Sequence, residues 1–328
     1  MRIVRFYRHG GPEVLRLETA ELPSPRAGEV RINVRAIGLN RAEALMRAGT
    51  YIEQPALPSG LGLEAAGLID ELGEGVSAVQ PGDPVSIIPP ISMVRWPTYA
   101  EYICVPVEQV VKHPPVLSWE EAAAAWMQYL TAYGALVEVA NVRRGEYVVI
   151  TAASSSVGLA AIQIVKLLGG VPLAITRGKA KRQALIDAGA DHVIVSSEED
   201  LACRLREIAD PSGVRVVFDA IAGPIFEPLT DAMAKNGVLI EYGGLSGQPT
   251  PFPLASVLKK SLTLRGYLVH EITGDAAQPD AAKRFILRGL ASGKLKPIIS
   301  RVFPFDEIVE AHRYLESNAQ FGKIVVTI

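Results

Sequence analysis

Cysteine is scarce in this chain: Cys104 and Cys203 are the only two among 328 residues, far apart and without CxxC spacing. That count excludes a disulfide framework and a four-cysteine zinc site. Histidine is thin as well, and His9, His113, His192, His270 and His312 are scattered, with no HExxH pair or similar ligand spacing. No metal is therefore expected. No segment approaches the roughly 20 continuous apolar residues of a membrane span. The first residues, MRIVRFYRHGG, lack the apolar run and small-residue cleavage site of a secretory signal,. A formal net charge of -2 supplies no field that would draw in nucleic acid or an anionic membrane,. These absences point to a cytoplasmic enzyme or binding protein with a small-molecule ligand, and no nucleic-acid or membrane partner is expected.

What is present is ample apolar surface, 49% of residues against 21% charged, in a chain long enough for two cores. Up to about Leu117 the apolar runs are short, mostly alternating, and punctuated by glycine and proline. VRINVRA (Val30 to Ala36), Gly67 to Leu72, Asp83 to Pro89 and PTYAEYICV (Pro97 to Val105) read as strands of an antiparallel β domain,. At Ser118, a fitting N-cap, SWEEAAAAWMQYLTAYGALVEV starts a helical region,. YVVIT (Tyr147 to Thr151) then opens a strict alternation of strands and helices that runs through VPLAIT, ADHVIV, RVVFDA and GVLIEYG. Such alternation predicts parallel βαβ units and a doubly wound sheet. From about Gly266 it stops, and a helix near Ala281 to Ser292 precedes FPFDEIVEAHRYLES and a closing strand, GKIVVTI.

In a dinucleotide-binding unit the turn after the first strand aims backbone N–H groups and a helix N-terminus at the pyrophosphate. TAASSSVG (Thr151 to Gly158) occupies that place, with Ala153, Ser155 and Gly158 where GxGxxG has its glycines. Two of the three glycines are missing, so the segment also reads as small residues packing a helix on a strand. About twenty residues on, where an NAD site has an acid for the ribose hydroxyls, the chain has Arg177, Lys179, Lys181 and Arg182,. That cluster suits a 2′-phosphate through charge-assisted bonds, or else is a solvated basic helix start.

Several motifs taken in order carry a resemblance. AIGLNRAEALMRAGTY, LPSGLGLEAAGLI, LTAY, AASSSVGLAAIQIVKLLG, AGADHVI, VVFDAIAG and the terminal GKIVV resemble the zinc-free quinone oxidoreductases of the medium-chain dehydrogenase/reductase superfamily, over essentially the whole chain. The resemblance implies an α/β fold in which a GroES-like, β-rich catalytic domain, 1–118 with 266–328, receives an inserted Rossmann NADPH-binding domain, 119–265. It implies NADPH as cofactor, and places Ser155, Ser156, Val157 and Gly158 at the pyrophosphate, Thr176, Arg177 and Lys181 toward the adenosine end with its 2′-phosphate, and Tyr242, Gly243 and Gly244 along the cofactor. Asn40 and Thr131 fall near the nicotinamide, although both types also serve local capping and packing. Relatives with catalytic zinc carry their ligands where this chain has Asn40, Leu63 with Glu64, and Met127.

Hydride transfer without a metal suits a quinone or an alkene conjugated to a carbonyl, given a group that stabilises the developing enolate or donates a proton. By resemblance Tyr51 lies in the substrate cleft and is the candidate donor, with packing as the other use of that side chain. A second cleft tyrosine of the bacterial quinone oxidoreductases is Leu45 here, which makes the pocket more apolar. Trp96, Tyr99 and Tyr102 are further aromatics for the cleft or for the core. An enoyl-thioester reductase and a non-catalytic NADPH-binding protein, structural or RNA-associated, stand as alternatives. A homodimer through the sheet edge at Ser261 to Gly266 is expected from the same resemblance and from the reactivity of unpaired edges.

Overall fold

The computed structural model describes residues 1–274 and 279–328. They form two compact units, Met1–Met127 with Thr273–Ile328, and Gln128–Ile272.

The first unit contains β1 (Arg2–Phe6), β2 (Leu15–Thr19), β3 (Glu29–Gly38), helix α1 (Arg41–Ala48), β4 (Ala65–Leu72), β5 (Pro84–Ile87), β6 (Tyr102–Pro106), β7 (Val110–Lys112) and the short helix α2 (Trp119–Ala122). The alternation read in VRINVRA is real: Val30, Ile32, Val34 and Ala36 are buried while Arg35 is exposed, as a strand with one core face requires. Helix α3 (Trp126–Tyr133) follows α2 after a break. The expected single helical region from Ser118 is thus two helices with a π-helical turn, Gly134–Val139, behind them. The cause lies in Glu64, whose carboxylate Oε1 accepts the Met127 N–H at 3.1 Å and so caps a new helix start,.

The second unit is the doubly wound sheet. Its strands are β8 (Tyr147–Ile150), β9 (Val171–Thr176), β10 (His192–Val195), β11 (Val214–Asp219), β12 (Met233–Glu241) and β13 (Thr263–Gly266). The order is β10-β9-β8-β11-β12-β13, and every pairing is parallel. The chain runs from β8 through helix α4 (Ser156–Leu168) outward to β9 and β10, then crosses back to β11 on the other side of β8, so the switch point falls beside the carboxyl end of β8. Ligands of open α/β sheets bind in that crevice. Val149, Leu173, Ile194, Val217 and Leu239 from five of the strands share one buried cluster with Leu205 and Leu229, each such side chain contributing roughly 1.5–3 kcal/mol on burial.

The chain then returns to the first unit with β14 (Ile299–Pro304) and β15 (Lys323–Thr327). β15 is inserted between β14 and β3, pairing parallel with one and antiparallel with the other. The units divide at 127/128 and 272/273 rather than at 118/119 and 265/266. Helix α2 packs on β3, β4, β14 and β15, which keeps it in the first unit.

Candidate functional site

The turn after β8 is held by its own side chains. Ser155 is the N-cap of α4, and its Oγ accepts the Gly158 N–H at 3.0 Å, the usual use of serine there. A Cβ on Gly158 would stand 2.7 Å from both the Cα and the O of Ala153, so the helix can approach the turn this closely only with glycine. Ser156 and Val157 begin the helix, half-exposed. The one glycine left from GxGxxG is therefore the one that sets helix against turn.

Thr176 ends β9 and is buried, while Arg177 just beyond it is exposed. Lys181 reaches back to the turn and donates to Ser154 Oγ at 3.2 Å. Burial, and then the charge of Arg177, hold the Lys181 ammonium below its ordinary range. A bound dianion would relieve that repulsion, so this corner fits a phosphate.

Tyr242 follows β12, with its ring stacked on Phe218 at 4.0 Å and its N–H donated to Asp219 O at 2.9 Å. A Cβ on Gly243 would meet Ala220 O at 2.9 Å, whereas Gly244 faces open space. Beneath them lies a group that residue spacing does not reveal. The Thr151 hydroxyl donates to Asp219 Oδ1, and the N–H groups of Ile221 and Ala222 donate to the same carboxylate at 3.0 and 2.9 Å. Asp219 and Glu241 are register partners on β11 and β12. Burial, then the Asp219 charge, push the Glu241 carboxyl up to about 9.

In the first unit, Asn40 is the N-cap of α1. Its Nδ2 donates to Gly38 O at 3.1 Å and Glu43 Oε1 at 3.2 Å, and its Oδ1 accepts from Lys323 Nζ at 2.7 Å. Lys323 also donates to Glu64 Oε2 at 2.6 Å. Positions 40, 64 and 127 are thus brought together around one ammonium and one carboxylate, with Met127 contributing its backbone N–H. Glu43 accepts from Asn40 N, Leu63 N and the Tyr99 hydroxyl at 2.7, 3.0 and 2.6 Å. Since the Tyr99 proton goes to Glu43, the His312 Nε2 at 3.1 Å from Tyr99 Oη is the donor of that contact,.

Tyr99 is accordingly a core residue, and Tyr102 accepts from Asn33 Nδ2 at 3.1 Å. Trp96 lies under the Arg95 guanidinium at 4.4 Å. Tyr51 is half-buried, its phenol pushed up by burial and then by the charges of Glu53 and Glu43, and Leu45 is 40% exposed on α1. Thr131 is buried on α3 in the other unit. Lys323 and Glu43 went unread as site residues: a lone lysine in a closing strand and a glutamate inside a helix carry no local signal. Among the described residues no group of three or more His, Cys, Asp or Glu side chains could hold a metal ion.

Comparison with known proteins places this geometry. Residues 26–115 match the alcohol dehydrogenase GroES-like domain, and residues 188–326 match a family described as zinc-binding dehydrogenase. Quinone oxidoreductase 1 of Escherichia coli is 32% identical over 327 residues, 97% of each chain. The structure of Escherichia coli quinone oxidoreductase complexed with NADPH superposes with a TM-score of 0.91 at 30% identity, covering 100% of both chains. An NAD-dependent alcohol dehydrogenase structure gives 0.90 at 32% identity, also over 100% of both chains. The GroES-like unit, the doubly wound unit and this near-complete coverage identify the chain as a member of the quinone oxidoreductase family of medium-chain dehydrogenases/reductases.

Proposed function

We propose that the protein is an NADPH-dependent oxidoreductase that reduces a quinone or an α,β-unsaturated carbonyl without zinc. The observation that carries the cofactor reading is the corner where Lys181, tied to Ser154 in the nucleotide turn, faces Arg177. Two cations beside the turn suit a 2′-phosphate, and no acid stands at the end of β9 to hold a ribose diol,. NADPH, when bound, supplies the hydride.

The chain's own residues do the rest. Ser155, Ser156, Val157 and Gly158 present the α4 N-terminus to the pyrophosphate, and Tyr242, Gly243 and Gly244 line the cofactor, the two glycines adding no side-chain bulk. Thr131 and Asn40 are assigned to the nicotinamide side. Both protons of Asn40 Nδ2 are already given to Gly38 and Glu43, so Asn40 contributes an acceptor lone pair and no donor. Burial keeps the Tyr51 phenol protonated at neutral pH, and its hydroxyl is assigned to stabilise or protonate an enolate.

Zinc does not fit the residues present. Of the positions that carry ligands in zinc-dependent relatives, only Glu64 offers one, and both of its carboxylate oxygens are already engaged, by Lys323 and Met127 N,. A metal ion there would have to displace a buried ammonium.

The exposed strand β13, with Phe252, Leu254 and Leu258 exposed ahead of it at 66%, 58% and 72%, is proposed as the dimer edge. Light scattering giving a monomer mass at micromolar concentration rejects that assignment. No helix of the described residues is long and apolar enough to cross a membrane; a cytoplasmic location is part of the proposal.

NADPH oxidation should be followed against quinones, enones, enoyl thioesters and simple aldehydes, with and without a chelator. Turnover of quinones or enones, unchanged by chelation, is the expected result. Turnover of enoyl thioesters alone would move the acceptor class, and tight NADPH binding without any turnover would assign a non-catalytic role.

A further inference from the structure

The carboxyl pair at the ends of β11 and β12 has a chemistry that the hydride reading does not use. Asp219 and Glu241 are register partners on adjacent parallel strands, so their side chains project from the same face of the sheet,. The Asp219 carboxylate accepts from the Thr151 hydroxyl and from the N–H groups of Ile221 and Ala222. Just after those N–H groups the chain turns at Ala222 with φ 56, a conformation that costs a non-glycine residue of order 1 kcal/mol or more.

Glu241 is differently placed. Its Oε1 has one long contact, from Gly243 N at 3.4 Å, and its Oε2 is buried and meets no donor. Two carboxyl groups side by side, one of them with a buried oxygen that meets no donor, do not both ionise without cost,. Asp219 already accepts three hydrogen bonds whereas Glu241 accepts one long one, so the proton resides on Glu241. The remaining neighbours supply no counter-charge. Tyr242 turns its hydroxyl toward Ser155, buried and without a partner within hydrogen-bond distance. On the far side Gly266 is the register partner of Glu241, and the neighbouring Arg265 is paired with Glu271. No ion pair among the described residues reaches either carboxyl.

The pair sits one hydrogen bond from the nucleotide turn, because Thr151, which donates to Asp219, is the turn's first residue. Both orphaned atoms, Glu241 Oε2 and the Tyr242 hydroxyl, lie at the carboxyl edge of the sheet, where the dinucleotide binds. We propose that the proton held by Glu241 beside the Asp219 carboxylate gates dinucleotide binding. With the proton in place the edge carries one negative charge, neutralised by hydrogen bonds from the turn and loop. Without it a second, uncompensated carboxylate stands at the sheet edge and disfavours an anionic dinucleotide there. This inference rests on the dinucleotide reading of the turn.

The test is the pH dependence of binding, measured as the dissociation constants of NADPH and NADH from about pH 7 to about pH 10.5. In the unmutated protein both nucleotides should bind about tenfold more weakly as pH rises through about 9,. Glu241→Gln, neutral at every pH, should remove that loss for both. Lys181 provides the rival explanation, since its ammonium is also held below its usual range. Loss confined to NADPH and persisting in Glu241→Gln would assign the effect to Lys181 and overturn the proposal. In parallel, the Glu241 carboxyl of the unmutated protein is titrated by carbon-13 NMR with and without NADP⁺. A midpoint that rises on binding supports the linkage, and an unmoved midpoint refutes it even if the variant folds poorly. Failure to bind either nucleotide at about pH 7 would instead reject the dinucleotide reading itself.

Discussion

Lys323 Nζ lies 2.6 Å from Glu64 Oε2, with the two side chains 1% and 0% exposed, and the same ammonium holds Asn40 Oδ1 at 2.7 Å. Removing one partner of a buried ion pair leaves an uncompensated charge, at a cost of about 3–5 kcal/mol. Lys323→Met should destabilise the first unit by about that much in urea unfolding. The double change Lys323→Met with Glu64→Leu should recover a large part of it, less the cost of the lost Met127 N–H acceptor. Equal stability of the single and double variants would show that the ion pair carries no weight.

At the other unit, Arg177→Ala removes one of the two cations assigned to the 2′-phosphate. Losing a charged hydrogen bond costs roughly 1.5–3 kcal/mol, so NADPH affinity should fall about 10- to 100-fold while NADH affinity hardly changes. Fluorescence titration of both cofactors reads this directly, and equal losses would make Arg177 structural.

Tyr51→Phe should lower kcat by about 10²-fold or more, the range of general acid catalysis, with NADPH affinity nearly intact. An unchanged kcat, where deuterated cofactor shows hydride transfer to be rate-limiting, would remove Tyr51 from the reaction and leave water or a ribose hydroxyl as donor.

His312 sets an acid limit. Burial, and then the charge of Arg47, hold its imidazole down to about 3 from an ordinary 6.5. The folded protein therefore binds this proton less well than the unfolded chain. The stability contributed by neutral His312 is full above pH 6.5 and is lost as pH falls from 6.5 through about 3, by at most about 1.4 kcal/mol per pH unit. His312→Gln should flatten that part of the curve of stability against pH, and an identical acid slope in the variant would place the sensitivity elsewhere.

The alternation of strands and helices from Tyr147 to Glu241 was legible because each element carries its own apolar period and its own stop signal, as with Gly169 at φ 78 after α4. Ser155 and Gly158 were legible for the same reason, being local to one turn. The helix break before Met127 was not, since its cause is a carboxylate 63 residues earlier. Lys323 meets Asn40 across 283 residues, and Asp219 meets Glu241 only through strand register. What residue spacing conveys is the chemistry of a turn; pairings made by the sheet appear only when the strands are laid side by side. Tyr99 shows the converse, an aromatic that suits a cleft by type and serves the core by position.

The insertion of β15 between β14 and β3 has a consequence for synthesis. Gln128–Ile272 is one uninterrupted stretch and can close its sheet while the ribosome is still adding residues, as contiguous domains do. The first unit cannot. Until Lys323–Thr327 emerges, the Ala36–Gly38 end of β3 lacks the strand that pairs with it on that edge, and Glu64 waits for its ammonium. A nascent chain halted just short of Lys323 would hold a finished nucleotide unit beside an unfinished sheet, the kind of open edge that chaperones cover and aggregates exploit.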